Sequence, residues 1–100
     1  MLAHNVYFTL KDRSQARIDE LVLACNAYLT GHPGTTFFFA GILEPDLARP
    51  VNDRGFDVAL VIVFEDRAAH DVYQTAPRHD QFVAEQKDNW EQVRVFDAIC

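Results

Sequence analysis

From Val58 to Phe64 every residue is apolar: Val58-Ala59-Leu60-Val61-Ile62-Val63-Phe64. A strand with one wet face alternates apolar and polar side chains. This one does not, so it reads as a strand covered on both faces. The segment Thr35 to Leu43 is built around Phe37-Phe38-Phe39. Successive side chains of a strand point to opposite faces, so Phe37 and Phe39 look one way and Phe38 the other. A sheet made of these strands is apolar on both sides, and each side needs a cover.

The rest of the chain supplies one cover. Residues 3–10 read as a strand with His4, Val6, Phe8 and Leu10 on one face. Asp12 with Gln15 fits a capping box, with Ser14 the alternative N-cap. Ile18, Leu21, Val22, Cys25, Tyr28 and Leu29 then recur at helical spacing, and Gly31 and Pro33 predict a helix end near Leu29. Glu44 to Gly55 is a long polar connection, and the apolar strand is expected over Phe56 to Phe64. Asp66 caps a second helix with Ala69, Val72, Tyr73 and Ala76 predicted on its inner face. Pro77 ends or kinks that helix, and His79, Phe82, Val83, Gln86 and Trp90 continue at helical spacing. Gln92 to Ile99 is the last strand.

The order is βαββαβ. Short, right-handed connections predict an α+β, ferredoxin-like fold: a four-stranded antiparallel sheet of order 4-1-3-2, in one domain over residues 1–100. The helical segments cover one face. The other needs a second chain, which predicts a homodimer.

Charge and cysteines exclude several classes of function. The net charge is −6, and the basic residues are scattered, so no footprint for nucleic acid or an anionic membrane is expected. RNA-recognition modules share the βαββαβ topology, but they carry exposed aromatics beside basic residues on their central strands. The Val58–Phe64 strand has no basic residue. No apolar run is long enough to span a bilayer. Met1-Leu2-Ala3-His4-Asn5 lacks the pattern of a signal peptide, so a cytoplasmic location is expected. Cys25 and Cys100 form no C-x-x-C pair. Cys25 sits in the helix stripe, where an apolar setting keeps a thiol protonated and inert, and no disulfide is expected.

The candidate chemistry lies with Tyr73, His79 and His4. A His titrating near pH ~6.5 and a phenol near ~10 can serve as base and hydrogen-bond donor toward an enolisable substrate. Tyr73 is expected on the inner face of its helix, His79 just past the Pro77 break, and His4 on the strand face shared with Val6 and Phe8. His70 is expected on the surface and His32 in a loop. No clustered His/Cys spacing suggests a metal site, and no Gly-rich phosphate loop or other cofactor motif is present. Two readings remain on these residues. One is a small-molecule pocket with acid–base chemistry of the cyclase or isomerase kind. The other is a non-catalytic, structural or stress-protective dimer in which Tyr73 is a core aromatic.

Four segments carry a family resemblance. His4-Asn5-Val6-Tyr7-Phe8-Thr9-Leu10 resembles the H-x-V-x-F-x-L opening of the stress-responsive dimeric α/β-barrel domains. Gly55-Phe56-Asp57 is similar to their G-[YF]-D lead into the third strand. Tyr73-Gln74-Thr75-Ala76-Pro77-Arg78-His79 is similar to their Y-x-x-H-P-x-H, and Val95-Phe96-Asp97 to their closing strand. The resemblance implies two ferredoxin-like sheets packed face to face as a dimeric α/β barrel. One branch, which includes olivetolic acid cyclase, uses a Tyr and a His as an acid–base pair. The match to that branch covers Tyr73, His79 and His4. It fails at Ala76 and Val58, where the branch has histidines, so the resemblance implies a more apolar pocket here.

Overall fold

In the computed structural model, which describes residues 1–100, the strand Leu2–Leu10 (β1) lies at the centre of the sheet. It pairs antiparallel with Val58–Phe64 (β3) on one side and Trp90–Ile99 (β4) on the other. Thr35–Ile42 (β2) pairs antiparallel with β3, giving the order β2-β3-β1-β4. This is the expected 4-1-3-2 order, read from the other edge. The helices are Gln15–Tyr28 (α1), Arg67–Gln74 (α2) and Pro77–Gln86 (α3), followed by a 3₁₀ turn over Lys87–Asn89.

The termini of these helices follow from local chemistry. Ser14, not Asp12, is the N-cap of α1: its hydroxyl accepts from the Arg17 amide, and Asp12 instead accepts from the Ser14 amide. Leu29 is the C-cap, as expected. Asp66 caps α2 by accepting from the Ala69 amide. Pro77 opens α3 at a position where its missing N–H costs nothing. Gly34 has φ +79° at a close approach, where an added Cβ would lie 2.5 Å from the Ala69 side chain. It lets the start of β2 pass under α2.

Alternation sorts β1 and β3 cleanly. Leu2, His4, Val6, Phe8 and Leu10, with Val58, Leu60, Ile62 and Phe64, are buried toward the helices. Leu21, Ala24 and Cys25 of α1 and its C-cap Leu29 close over them, with Tyr73 and Phe82 from α2 and α3. Cys25 is fully buried and its thiol is pushed up to about 12 by desolvation; neither cysteine is bridged. Asp57 anchors the lead into β3, accepting from the Leu10 amide at 2.9 Å and from Arg13 Nε at 3.1 Å.

The opposite face is open. Phe37, Phe39 and Phe96 are about half exposed there, at 53, 48 and 55%. Phe38 turns to the core side, as the alternation requires. One expectation fails in α2. Val72 was expected on the inner face, but it is 59% exposed. Ala69 and Tyr73, four apart, define the buried stripe, and Val72 lies about 100° round the helix from Tyr73. Trp90 also departs from expectation: it begins β4 rather than ending a helix, and its ring packs on Phe8 and Phe82.

Candidate functional site

β1 delivers His4. Its register sets it beside Asp97 of β4, on the helix side, and the Asp97 carboxylate meets His4 Nδ1 at 2.6 Å. A carboxylate accepts only, so Nδ1 carries the proton and Nε2 is left as the free base nitrogen. α2 delivers Tyr73. The break at Thr75-Ala76 and the new start at Pro77 then turn the chain back, so that His79 lies edge-on to the Tyr73 ring at 4.9 Å between centroids. His4 lies 5.8 Å from Tyr73. The three residues singled out in the sequence therefore meet.

Two further histidines join them. His32 is a loop residue, as expected, but it is buried, holds the Tyr28 carbonyl at 2.7 Å and stands edge-on to Tyr73 at 5.0 Å. His70 was expected on the surface, and its side chain is only 14% exposed. It sits three residues before Tyr73 and so shares its face of α2. Its ring is 5.1 Å from that of His4. All four histidines of the chain thus surround or adjoin one phenol. The sequence reading also missed Asp97 as a site residue. The available signal was cross-strand register, since Val93, Val95 and Asp97 alternate on the face that pairs with Phe8, Val6 and His4.

Burial sets the protonation states. Desolvation lowers the pKa of His4, and the Asp97 hydrogen bond and charge oppose it only in part. Desolvation also lowers His79, against the raising effect of Asp80. Burial pushes the Tyr73 phenol well above its usual range. At neutral pH these imidazoles are neutral and the phenol keeps its proton. His79 Nδ1, His70 Nε2 and Trp90 Nε1 are buried without a hydrogen-bond partner, an arrangement that native interiors rarely leave uncompensated.

These groups border a cavity of about 270 Å³ between helices and sheet. His4, His70, Tyr73, His79 and Asp97 form its polar end; Phe8, Leu60, Phe82, Val83 and Trp90 are among its apolar lining. Val93 and Val95 of β4 also line it and remain 39% and 49% exposed. A larger cleft of about 600 Å³ lies on the open sheet face between Tyr7, Phe56, Phe96 and the loop before β3. Its charges are already paired, Arg94 to Asp53 at 2.8 Å, so size alone does not make it the reactive site.

Fold and site together define a ferredoxin-like α+β domain with a histidine-lined pocket on the helix side of its sheet. The chain belongs to the stress responsive A/B barrel domain family (Dabb), which it matches over residues 2–100. A Dabb family protein with a ferredoxin-like fold from Mesorhizobium loti superposes with a TM-score of 0.81 at 24% identity, covering 99% of this chain and 95% of that one. A dimeric ferredoxin-like protein of unknown function from Thermobifida fusca gives 0.81 at 17% identity, covering 99% and 90%. A hydroxynitrile lyase from Passiflora edulis gives 0.77 at 24% identity, covering 99% and 92%. No protein of curated function matches the chain in sequence. No helix is long and apolar enough to cross a membrane.

Proposed function

We propose that this chain is a cytoplasmic single-domain homodimer that binds a small apolar or aromatic molecule in the helix-side cavity of each protomer, with Tyr73, His79 and His4 placed for acid–base chemistry. The observation that carries the reading is the convergence of those three side chains at the polar end of an otherwise apolar cavity. A neutral His79 accepts a proton from a carbon acid. The protonated Tyr73 donates a hydrogen bond to the oxygen on which charge then develops. Asp97 fixes the ring of His4. At about 270 Å³ the cavity falls just below the range of ligand sites, which begins at about 300 Å³, so only a small ligand fits. The hydroxynitrile lyase with this fold supports an enzyme among the fold's uses.

The dimer rests on the open sheet face. Phe37, Phe39 and Phe96 stand there about half exposed, beside Val61 and Val63. Relatives of this fold are described as dimeric. An interface of this kind buries at least about 1,000 Å² in total.

A second reading, a non-catalytic stress-protective dimer, draws on the burial of Tyr73, which is only 2% exposed and ringed by aromatic neighbours. A thermal-shift screen of small aromatic and carbonyl compounds in EDTA separates the two. Ligands of the pocket should stabilise the wild type and bind His79→Ala and Tyr73→Phe at least about tenfold more weakly, the loss of one good polar contact. Hits that stabilise all three proteins equally would favour the second reading.

A further inference from the structure

His4, His70 and Asp97 each offer one donor atom, and these atoms all lie within 4.8 Å of one another. Asp71 makes this more than a chance gathering. Its carboxylate sits 3.0 Å from His70 Nδ1. That bond places the proton on Nδ1 and leaves a lone pair on Nε2, the buried atom with no partner in the chain. A carboxylate behind a histidine whose other nitrogen is free is the arrangement that orients metal-bound imidazoles. The cluster also separates the histidine-lined cavity from a second cleft of about 320 Å³, lined by Leu2, Arg67, His70, Asp97, Ala98 and Ile99. A cation held there would keep an open position.

We propose that His4, His70 and Asp97 form a binding site for a first-row transition dication, typified by Zn²⁺, with Asp71 as the positioning carboxylate behind His70. Two imidazole nitrogens and one carboxylate suit such ions and not Ca²⁺ or Mg²⁺, which prefer oxygen. Tetrahedral Zn²⁺ with bonds of about 2.0 Å needs donor atoms about 3.3 Å apart. The His4–Asp97 hydrogen bond at 2.6 Å must therefore open, and the longest gap must close. Asp97 is able to move, since its side chain is 41% exposed on an edge strand. The ion replaces that hydrogen bond with two coordinate bonds, and the His4 proton passes to the other ring nitrogen. Arg67, whose Nε is 3.3 Å from Asp71, is the nearby positive charge that opposes the ion. The site shares His4 with the acid–base reading but does not rest on it, because metal binding is measured with no organic ligand present.

The test is titration of the EDTA-treated, dialysed protein with Zn²⁺ by calorimetry and with Co²⁺ by visible absorption. The expected result is one equivalent per chain, d–d bands of low-coordinate Co²⁺, and a raised Tm with Zn²⁺. His70→Ala should abolish binding, and His70→Gln serves if the alanine variant folds poorly. Asp71→Asn should weaken binding about 10- to 100-fold, as changes behind a ligand do. Cys100 is an exposed thiol that lies outside the proposed site. Cys100→Ser should therefore bind as the wild type does. Binding that survives in His70→Ala and His70→Gln, binding lost in Cys100→Ser, or no binding at all would each overturn the site. The ligand screen in EDTA stands or falls separately.

Discussion

β3 presents Val58, Leu60, Ile62 and Phe64 to the helices at 0–2% exposure, while Ala59, Val61 and Val63 on its other side are only half-buried. The same strand meets two environments. Toward the helices it borders a core that ends in a cluster of histidines, with a buried Asp57 where the strand begins. Away from them it faces aromatic side chains of β2, β1 and β4 and one Arg94–Asp53 pair. The first face is covered by helices of the same chain, with Val93 and Val95 left exposed at its β4 edge. The second face has apolar area with no cover of its own, so on the proposed reading its stabilisation depends on concentration.

Substitution on each face should give a different kind of loss. Phe64→Ala empties a fully buried position beneath His4, His70 and Tyr73. It should cost about 3–5 kcal/mol in urea unfolding, at every protein concentration. A cost below ~1 kcal/mol would mean that the helix face is not the packed core. On the open face, Val61→Glu sets a charge where a second copy would set another. It should weaken association at least about a hundredfold, seen by light scattering, with far less effect on the unfolding of the isolated protomer. A wild-type monomer at micromolar concentration would remove the comparison altogether. Cys25→Ser tests the helix face more gently. The hydroxyl finds an apolar stripe around it, and the expected loss is about 1–3 kcal/mol. Native labelling by a thiol reagent should reach exposed Cys100 quickly and leave Cys25 untouched.

The elements were legible because period and punctuation agree in this chain. The unbroken Val58–Phe64 run located the two-faced strand, and the alternation of β1 put His4 on the correct side. Strand order followed from connection rules once those strands were found. The site was half legible. Tyr73 and His79 could be brought together because Pro77 marks a break and helical spacing fixes direction on either side. His70 was misplaced because the α2 stripe was drawn through Val72, one residue away from the true direction. The pairs His70–Tyr73 and Ala69–Tyr73, three and four apart, define the buried face, and Val72 falls outside it. Asp97 was missed as a partner of His4 because they are 93 positions apart in sequence. Only the β1–β4 register joins them, and a sequence read one segment at a time does not supply a register. The three-donor cluster was invisible for the same reason: no short spacing relates its members.

The smallest expected effect is a pH dependence that should touch one face and not the other. His79 and His4 both have pKa values lowered by burial in the folded chain. In the unfolded chain each titrates near ~6.5. Just below that pH the unfolded state binds more protons than the folded one, so acid favours unfolding. The stability these neutral imidazoles contribute is present above pH ~6.5 and is lost as pH falls through the lower folded values. Several groups face His79 and shape this: Asp80 raises its pKa, while His4, His32 and His70 lower it. Around His4, Asp97 raises and His70 lowers. Carboxylates give a separate window. Asp12, hydrogen-bonded to Ser14, and Asp53, bonded to Arg94, are held below the usual carboxylate range, so their contribution is lost only at more acid pH, below about 4. Urea unfolding of the metal-free protein at fixed concentration should therefore show stability falling between pH ~7 and ~5.5. His79→Gln should flatten that slope by removing its share of the proton uptake. The open face holds no histidine, so Val61→Glu should leave the slope of the protomer unchanged. Stability that rises on acidification over this range, or a slope identical in His79→Gln, would show that burial is not what sets the charge of the pocket.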